Sequence, residues 1–113
     1  MRIKVHDDRG VRVLACRGTI LLEGGAEELV RRFGLELADP GLGIVLDLTE
    51  LTYLDSAGVG AVVACWKQAS ASGVVTKIAL APSGPVRKIF EVTQLAPRFE
   101  LFDAAASAVS SFG

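Results

Sequence analysis

Few side chains in this sequence are equipped for chemistry, and they are scattered. There is one histidine, His6, and there are two cysteines, Cys16 and Cys65. These three lack the paired spacing of a zinc site. His6 alternates with Arg2 and Lys4 and reads as a solvated residue on a strand's polar face. Both cysteines read as small core residues. Ser56 stands in Leu54-Asp55-Ser56-Ala57-Gly58, which is not a G-x-S-x-G nucleophile elbow because position 54 is Leu. With no base in view, a serine hydrolase has little support. The run Gly58-Val59-Gly60-Ala61-Val62-Val63 begins like a dinucleotide fingerprint, but Val63 replaces the third glycine. The strand before it is expected to end near residue 49, which leaves no tight strand-to-helix turn. Asp47, inside an apolar strand, reads either as a polar group near a site at the strand's carboxyl end or as a carboxylate tying down a neighbouring loop or helix start, the second favoured. No metal, no cofactor and no enzymatic activity are expected.

Composition narrows the class further. The chain has 113 residues, half of them hydrophobic, with 12 Lys+Arg against 13 Asp+Glu. That length suits a single domain spanning residues 1–113. The charge balance offers no footprint for nucleic acid or an anionic membrane. The longest uncharged run, Ser56 to Trp66, is shorter than the ~20 apolar residues of a membrane span. A charged start, MRIKVHDDRG, argues against a signal peptide, so a cytoplasmic protein is expected.

The elements that must position these residues follow from periodicity. Residues 2–7 and 11–17 alternate as two strands around the turn Asp8-Arg9-Gly10. Residues 25–37 carry a helical stripe of Ala26, Leu29, Val30, Phe33 and Leu37, with Glu27–Arg31 and Glu28–Arg32 pairs outside. Ile44 to Leu48 reads as a strand covered on both faces. A helix is expected over 56–72 and a strand over 76–81. A second helix is expected to have Ser83 as N-cap, Pro85 in its first turn, and Val86, Ile89, Phe90 and Thr93 inward. A short strand around Phe99–Leu101 and a last helix capped by Asp103 complete the order β-β-α-β-α-β-α-β-α. This is an α/β fold, parallel from residue 43 onward, with an antiparallel hairpin at its edge.

The helix beginning at Ser56 departs from an ordinary surface helix. Val59, Val62, Val63, Trp66 and Ala69 are expected inward. The opposite stripe, Ala57, Gly60, Ala61, Ala64 and Gln68, carries no charge. Two glycines near the start cost about 1 kcal/mol each relative to Ala. Burial on both sides, or a flat docking face for a partner, would explain the pattern, and docking is favoured. Asp55 and Ser56 in series supply one cap and leave one hydroxyl free. A phosphate there would add roughly −1.5 to −2 charge beside an uncharged face, at a helix end that tolerates anions.

The stretch VLDLTELTYLDSAGVGAVVACWKQA, followed by PSGPVRKIFEVTQL, resembles a STAS domain of the bacterial anti-sigma factor antagonist type. The resemblance covers about Val11 to Val109. It implies four or five strands forming a mixed sheet with about four helices, and a regulatory binding protein. It implies an anti-sigma factor serine kinase of the GHKL type as partner and a PP2C-type phosphatase. Ser56 would be the phosphoacceptor, with Asp55, Ala57, Gly58 and Gly60 around it; Ala61 and Ala64, on the uncharged face, complete the expected partner-binding surface. The family's usual acidic residue in the loop after the second strand is replaced by Leu21, leaving Glu23 as a displaced substitute. Gln94 stands where a helix-ending Gly is usual. The alternative is a STAS interaction module of a transporter complex or stress-signalling scaffold, not switched by Ser56.

Overall fold

The computed structural model describes residues 1–113. Alternating side chains build an antiparallel pair, β1 (Arg2–Asp8) and β2 (Val11–Ile20), in register from Arg2↔Arg17 to Asp8↔Val11. The two-residue turn puts both Arg9 (φ 51°) and Gly10 (φ 84°) at positive φ, the hairpin geometry whose twist matches its strands. The chain continues through α1 (Ala26–Glu36), β3 (Ile44–Leu54), α2 (Ser56–Ala71), β4 (Thr76–Ala79) and α3 (Pro85–Val92). It closes with β5 (Leu101–Phe102) and α4 (Ala105–Ser110), after a 3₁₀ turn at Ala96–Arg98.

The five strands lie in chain order, β1-β2-β3-β4-β5, and every pair after the hairpin is parallel. Crossovers of one hand between sequential strands put their helices on one face. Accordingly α1, α2 and α3 share the main core with the sheet, through Leu29, Phe33, Val62, Val86 and Phe90 against Leu14, Cys16, Leu46 and Ile78. α4 covers the other face, where Ala108 and Val109 meet Val11, Val13, Val45 and Ala79. β3 is thus covered on both sides over Ile44–Leu46, as its unbroken apolar run requires.

Several local expectations need correction. β3 extends to Leu54, beyond the end expected near residue 49. Its pairing with β2 slips twice, from Ala15↔Asp47 to Arg17↔Glu50 and from Gly18↔Leu51 to Thr19↔Tyr53. Each slip inserts one extra residue into β3, so its inward positions become Leu48, Leu51 and Leu54. A spacing of three hides the strand from a search for alternation. Asp47 serves its own strand at the first slip: Oδ1 accepts from Thr49 N (3.0 Å) and Thr49 Oγ1 (2.7 Å). The N-cap of α3 is Gly84 at φ 100°, with Ser83 outside the helix. Thr93 is an exposed C-cap that donates to Ile89 O (2.6 Å). α4 starts after Ala104, and Asp103 instead faces Arg87 at 3.8 Å. The Glu27–Arg31 and Glu28–Arg32 pairs do not close to ion-pair distance; Glu36 of α1 instead joins Asp7 in binding the Arg12 guanidinium.

No helix is long and apolar enough to cross a membrane. The small α4 layer is held by a buried cation. Lys77 Nζ donates to Ser111 Oγ (2.7 Å), lies 3.3 Å from Glu100 Oε2, and sits 4.4 Å from the Phe112 ring centroid. Lys77→Ala removes these together and is expected to cost about 2 kcal/mol in urea unfolding. Amide exchange should rise first across Ala108–Phe112.

Candidate functional site

β3 ends at Leu54 and turns through Asp55 directly into α2. The tight strand-to-helix turn thought to be missing is therefore present. Its glycines, Gly58 and Gly60, lie inside the helix, so they do not form a phosphate-binding loop.

Asp55 is the N-cap in extended backbone (φ −90°, ψ −172°). Its Oδ1 accepts from Gly58 N (2.9 Å) and its Oδ2 from Leu22 N (3.0 Å). One carboxylate therefore caps α2 and pins the β2–α1 loop against it. The N–H groups of Leu22 and then Gly58 hold its pKa below the ordinary carboxyl value. Gly58 is required by this closeness: a Cβ there would lie 2.2 Å from Ile20 O and 2.8 Å from Leu54 Cβ. Ser56, the first residue of α2, is exposed and takes no part in the cap.

The inward face of α2 is Gly58, Ala61, Val62, Cys65 and Ala69. Val62 and Ala69 are buried and Val59 and Val63 pack against the core as expected, but two positions need correction. Ala61, expected outward, is 5% exposed, and Trp66, expected inward, is 36% exposed, edge-on to Phe99 at 5.6 Å. Reading the larger side chains as the core stripe overlooked α1 as a neighbour. Packing of α1 against α2 uses small residues, and Cys65 Sγ comes within 4.0 Å of Leu29 O. Burial pushes both thiols up to about 12, so Cys16 and Cys65 are inert core groups.

A shallow groove of about 390 Å³ opens between the two helices. Leu22, Ala26 and Val30 line one side, and Ala57, Gly60, Ala61 and Ala64 the other. Glu27 is its one charged wall. Gly60 is exposed, and a Cβ there would meet nothing within 4 Å, so packing does not demand a glycine. Glu23 is exposed at the tip of the turn between β2 and α1, beside Leu22. The structure thus brings Asp55, Ser56, Ala57, Gly60, Ala61, Ala64 and Glu23 to one region, and assigns Gly58 to packing. Leu22 was missed from the sequence, where the doublet Leu21-Leu22 in a polar loop was the available signal. His6 lies on β1, outside this region, and no three His, Cys, Asp or Glu side chains cluster as a metal site.

The two glycines should respond oppositely in denaturant unfolding. Gly58→Ala forces a clash with backbone and should cost about 3 kcal/mol. Gly60→Ala should stabilise α2 by up to about 1 kcal/mol. Asp55 should also shape acid stability. With a depressed folded pKa, its contribution is complete above the ordinary value of 3.8 and is lost as pH falls from there through the folded value. The stability gap between wild type and Asp55→Asn should therefore narrow across that acidic range in pH-dependent melts.

The comparisons with known proteins agree with this geometry. No curated protein matches the chain. An anti-sigma factor antagonist from Mycobacterium paratuberculosis has a similar structure, with TM-score 0.86 and 22% identity over 98% of this chain and 92% of that one. SpoIIAA of Bacillus in its phosphorylated form gives TM-score 0.71 and 20% identity, covering 99% of this chain and all of that one. A STAS domain protein from Planctomyces limnophilus gives TM-score 0.77 and 16% identity, covering 97% of each chain. At such identities the likeness is one of fold. The sequence model of the STAS domain matches residues 2–108, nearly the whole chain. The chain, with its hairpin-edged sheet and Asp55-capped α2, belongs to the STAS domain family.

Proposed function

We propose that this STAS domain is an anti-sigma factor antagonist switched at Ser56. Unphosphorylated, it binds an anti-sigma factor that is also a GHKL-type serine kinase, and so releases the sigma factor. Phosphorylation of Ser56 ends binding, and a PP2C-type phosphatase restores it. The protein acts in the cytoplasm as a binding partner, with no reaction of its own. One observation carries the reading: Asp55 performs the helix cap, which leaves the exposed Ser56 hydroxyl free beside an apolar groove. The phosphorylated Bacillus SpoIIAA, similar in fold, supports it.

The physical chemistry of such a switch follows from the neighbourhood. The free N–H groups and dipole of α2 tolerate an anion at its first residue, so a phosphate need not unfold the helix. The same phosphate adds roughly two negative charges next to the Asp55 carboxylate. A partner seated on Ala57, Gly60 and Ala64 would have to strip water from that dianion and accommodate its bulk. Gly60 helps for the opposite reason. With no side chain, it lets a partner approach the helix backbone, which offsets its cost to helix stability.

The test uses the anti-sigma kinases encoded in the same genome. After incubation with kinase and ATP, mass spectrometry should place phosphate on Ser56 and find none on Ser56→Ala. In calorimetric titrations Ser56→Ala should bind like wild type, whereas Ser56→Asp should bind at least tenfold more weakly. Gly60→Glu should lose binding with a melting temperature no lower than that of wild type. Phosphate at another residue, or equal binding by Ser56→Asp, would point instead to a transporter or scaffold module that does not use the hydroxyl.

A further inference from the structure

Leu22 is the most exposed large hydrophobic side chain of the molecule, at 75%. It does not hang on a loose loop. Its N–H donates to Asp55 Oδ2 at 3.0 Å. The turn around it is closed reciprocally, Leu21 N to Gly24 O at 2.7 Å and Gly24 N to Leu21 O at 3.1 Å, and Ala26 N donates to Leu21 O at 3.2 Å. The side chain is therefore presented by an ordered backbone, at the mouth of the α1–α2 groove, tied to the carboxylate that precedes Ser56. An apolar group held ready in this way binds with little ordering cost.

The two charged side chains that adjoin Leu22 and its groove are both acidic. Glu23 is next to it and Glu27 walls the groove, and neither has a cation within ion-pair distance. Elsewhere the carboxylates are mostly compensated: Asp7 and Glu36 by Arg12, Glu50 by Arg17, Glu100 by Lys77. Asp55 itself spends its oxygens on backbone N–H groups. A second copy of this chain would bring the same acidic rim into contact with this one, and an anionic lipid surface would be repelled.

Resting on the docking role proposed above, we infer that Leu22 is the anchor of the interface. It inserts into an apolar socket of the partner that is rimmed by Lys or Arg, with Glu23 and Glu27 steering the approach. Contact from the β2–α1 loop is thereby hydrophobic at its centre and ionic only at its edge. Buried apolar anchors govern dissociation, and rim charges govern association and its salt dependence.

The experiment titrates the anti-sigma factor bound by wild type, with rates measured at low and high salt. Leu22→Ala should weaken binding by about 10- to 100-fold, mainly through faster dissociation. Its melting temperature should hold, because the bond to Asp55 uses the main chain. Leu22→Asp should bind more weakly still. The double variant Glu23→Gln, Glu27→Gln should associate more slowly and flatten the salt dependence. If Gly60→Glu abolishes binding while Leu22→Ala stays within twofold of wild type, the anchor is wrong and the docking face stands. Tighter binding by Leu22→Asp than by Leu22→Ala would replace the apolar socket with a cationic one and overturn the inference. If wild type binds no anti-sigma factor, or Gly60→Glu matches it, the docking role itself fails and this inference with it.

Discussion

Asp55 divides its carboxylate between two main-chain N–H groups, one from its own helix and one from a residue 33 positions earlier. That division sets the geometry of the candidate site. The end of β2, the turn at Leu21–Gly24 and the first turn of α2 are drawn together until only a glycine fits at position 58. Because the cap is an aspartate, the following serine is released from structural duty. A serine that capped the helix would lose the cap on modification, whereas Ser56 can change charge without that penalty.

The sheet order supplies the rest of the setting. Sequential strands put α1 and α2 side by side on one face, and the small residues Ala61, Cys65 and Ala69 let them close on each other. What stays outside the contact is a shallow seam, apolar because both helices contribute the shoulders of their buried faces. The seam ends at the Asp55 clamp, so a mobile-looking loop and a helix start become one continuous rigid surface.

Much of this was legible in the sequence, for identifiable reasons. The hairpin, the parallel order and the buried run at Ile44–Leu46 follow from period and turn chemistry, and the structure agrees. The motif around Leu54-Asp55-Ser56-Ala57-Gly58 carried the family. Three things were not legible. The last part of β3 was hidden because two extra residues convert a period of two into spacings of three. The burial of Ala61 and the exposure of Trp66 on α2 were hidden because tight helix–helix packing selects small side chains such as alanine and cysteine. Caps at Ser83 and Asp103 failed because a cap depends on backbone dihedrals one residue away, and Gly84 and Ala104 took those positions. Leu22 looked like an unremarked loop residue because only the clamp from Asp55 makes its exposure persistent.

The buried thiols have a consequence for what the molecule can sense. With values near 12, Cys16 and Cys65 hold almost no thiolate at neutral pH, and peroxides and disulfides react with thiolates. Oxidants that act through thiolates therefore find little reactivity at these two buried residues. In the role proposed for Ser56 the domain would take its input from an enzyme that recognises its surface, and its two buried thiols add no second, redox-driven input.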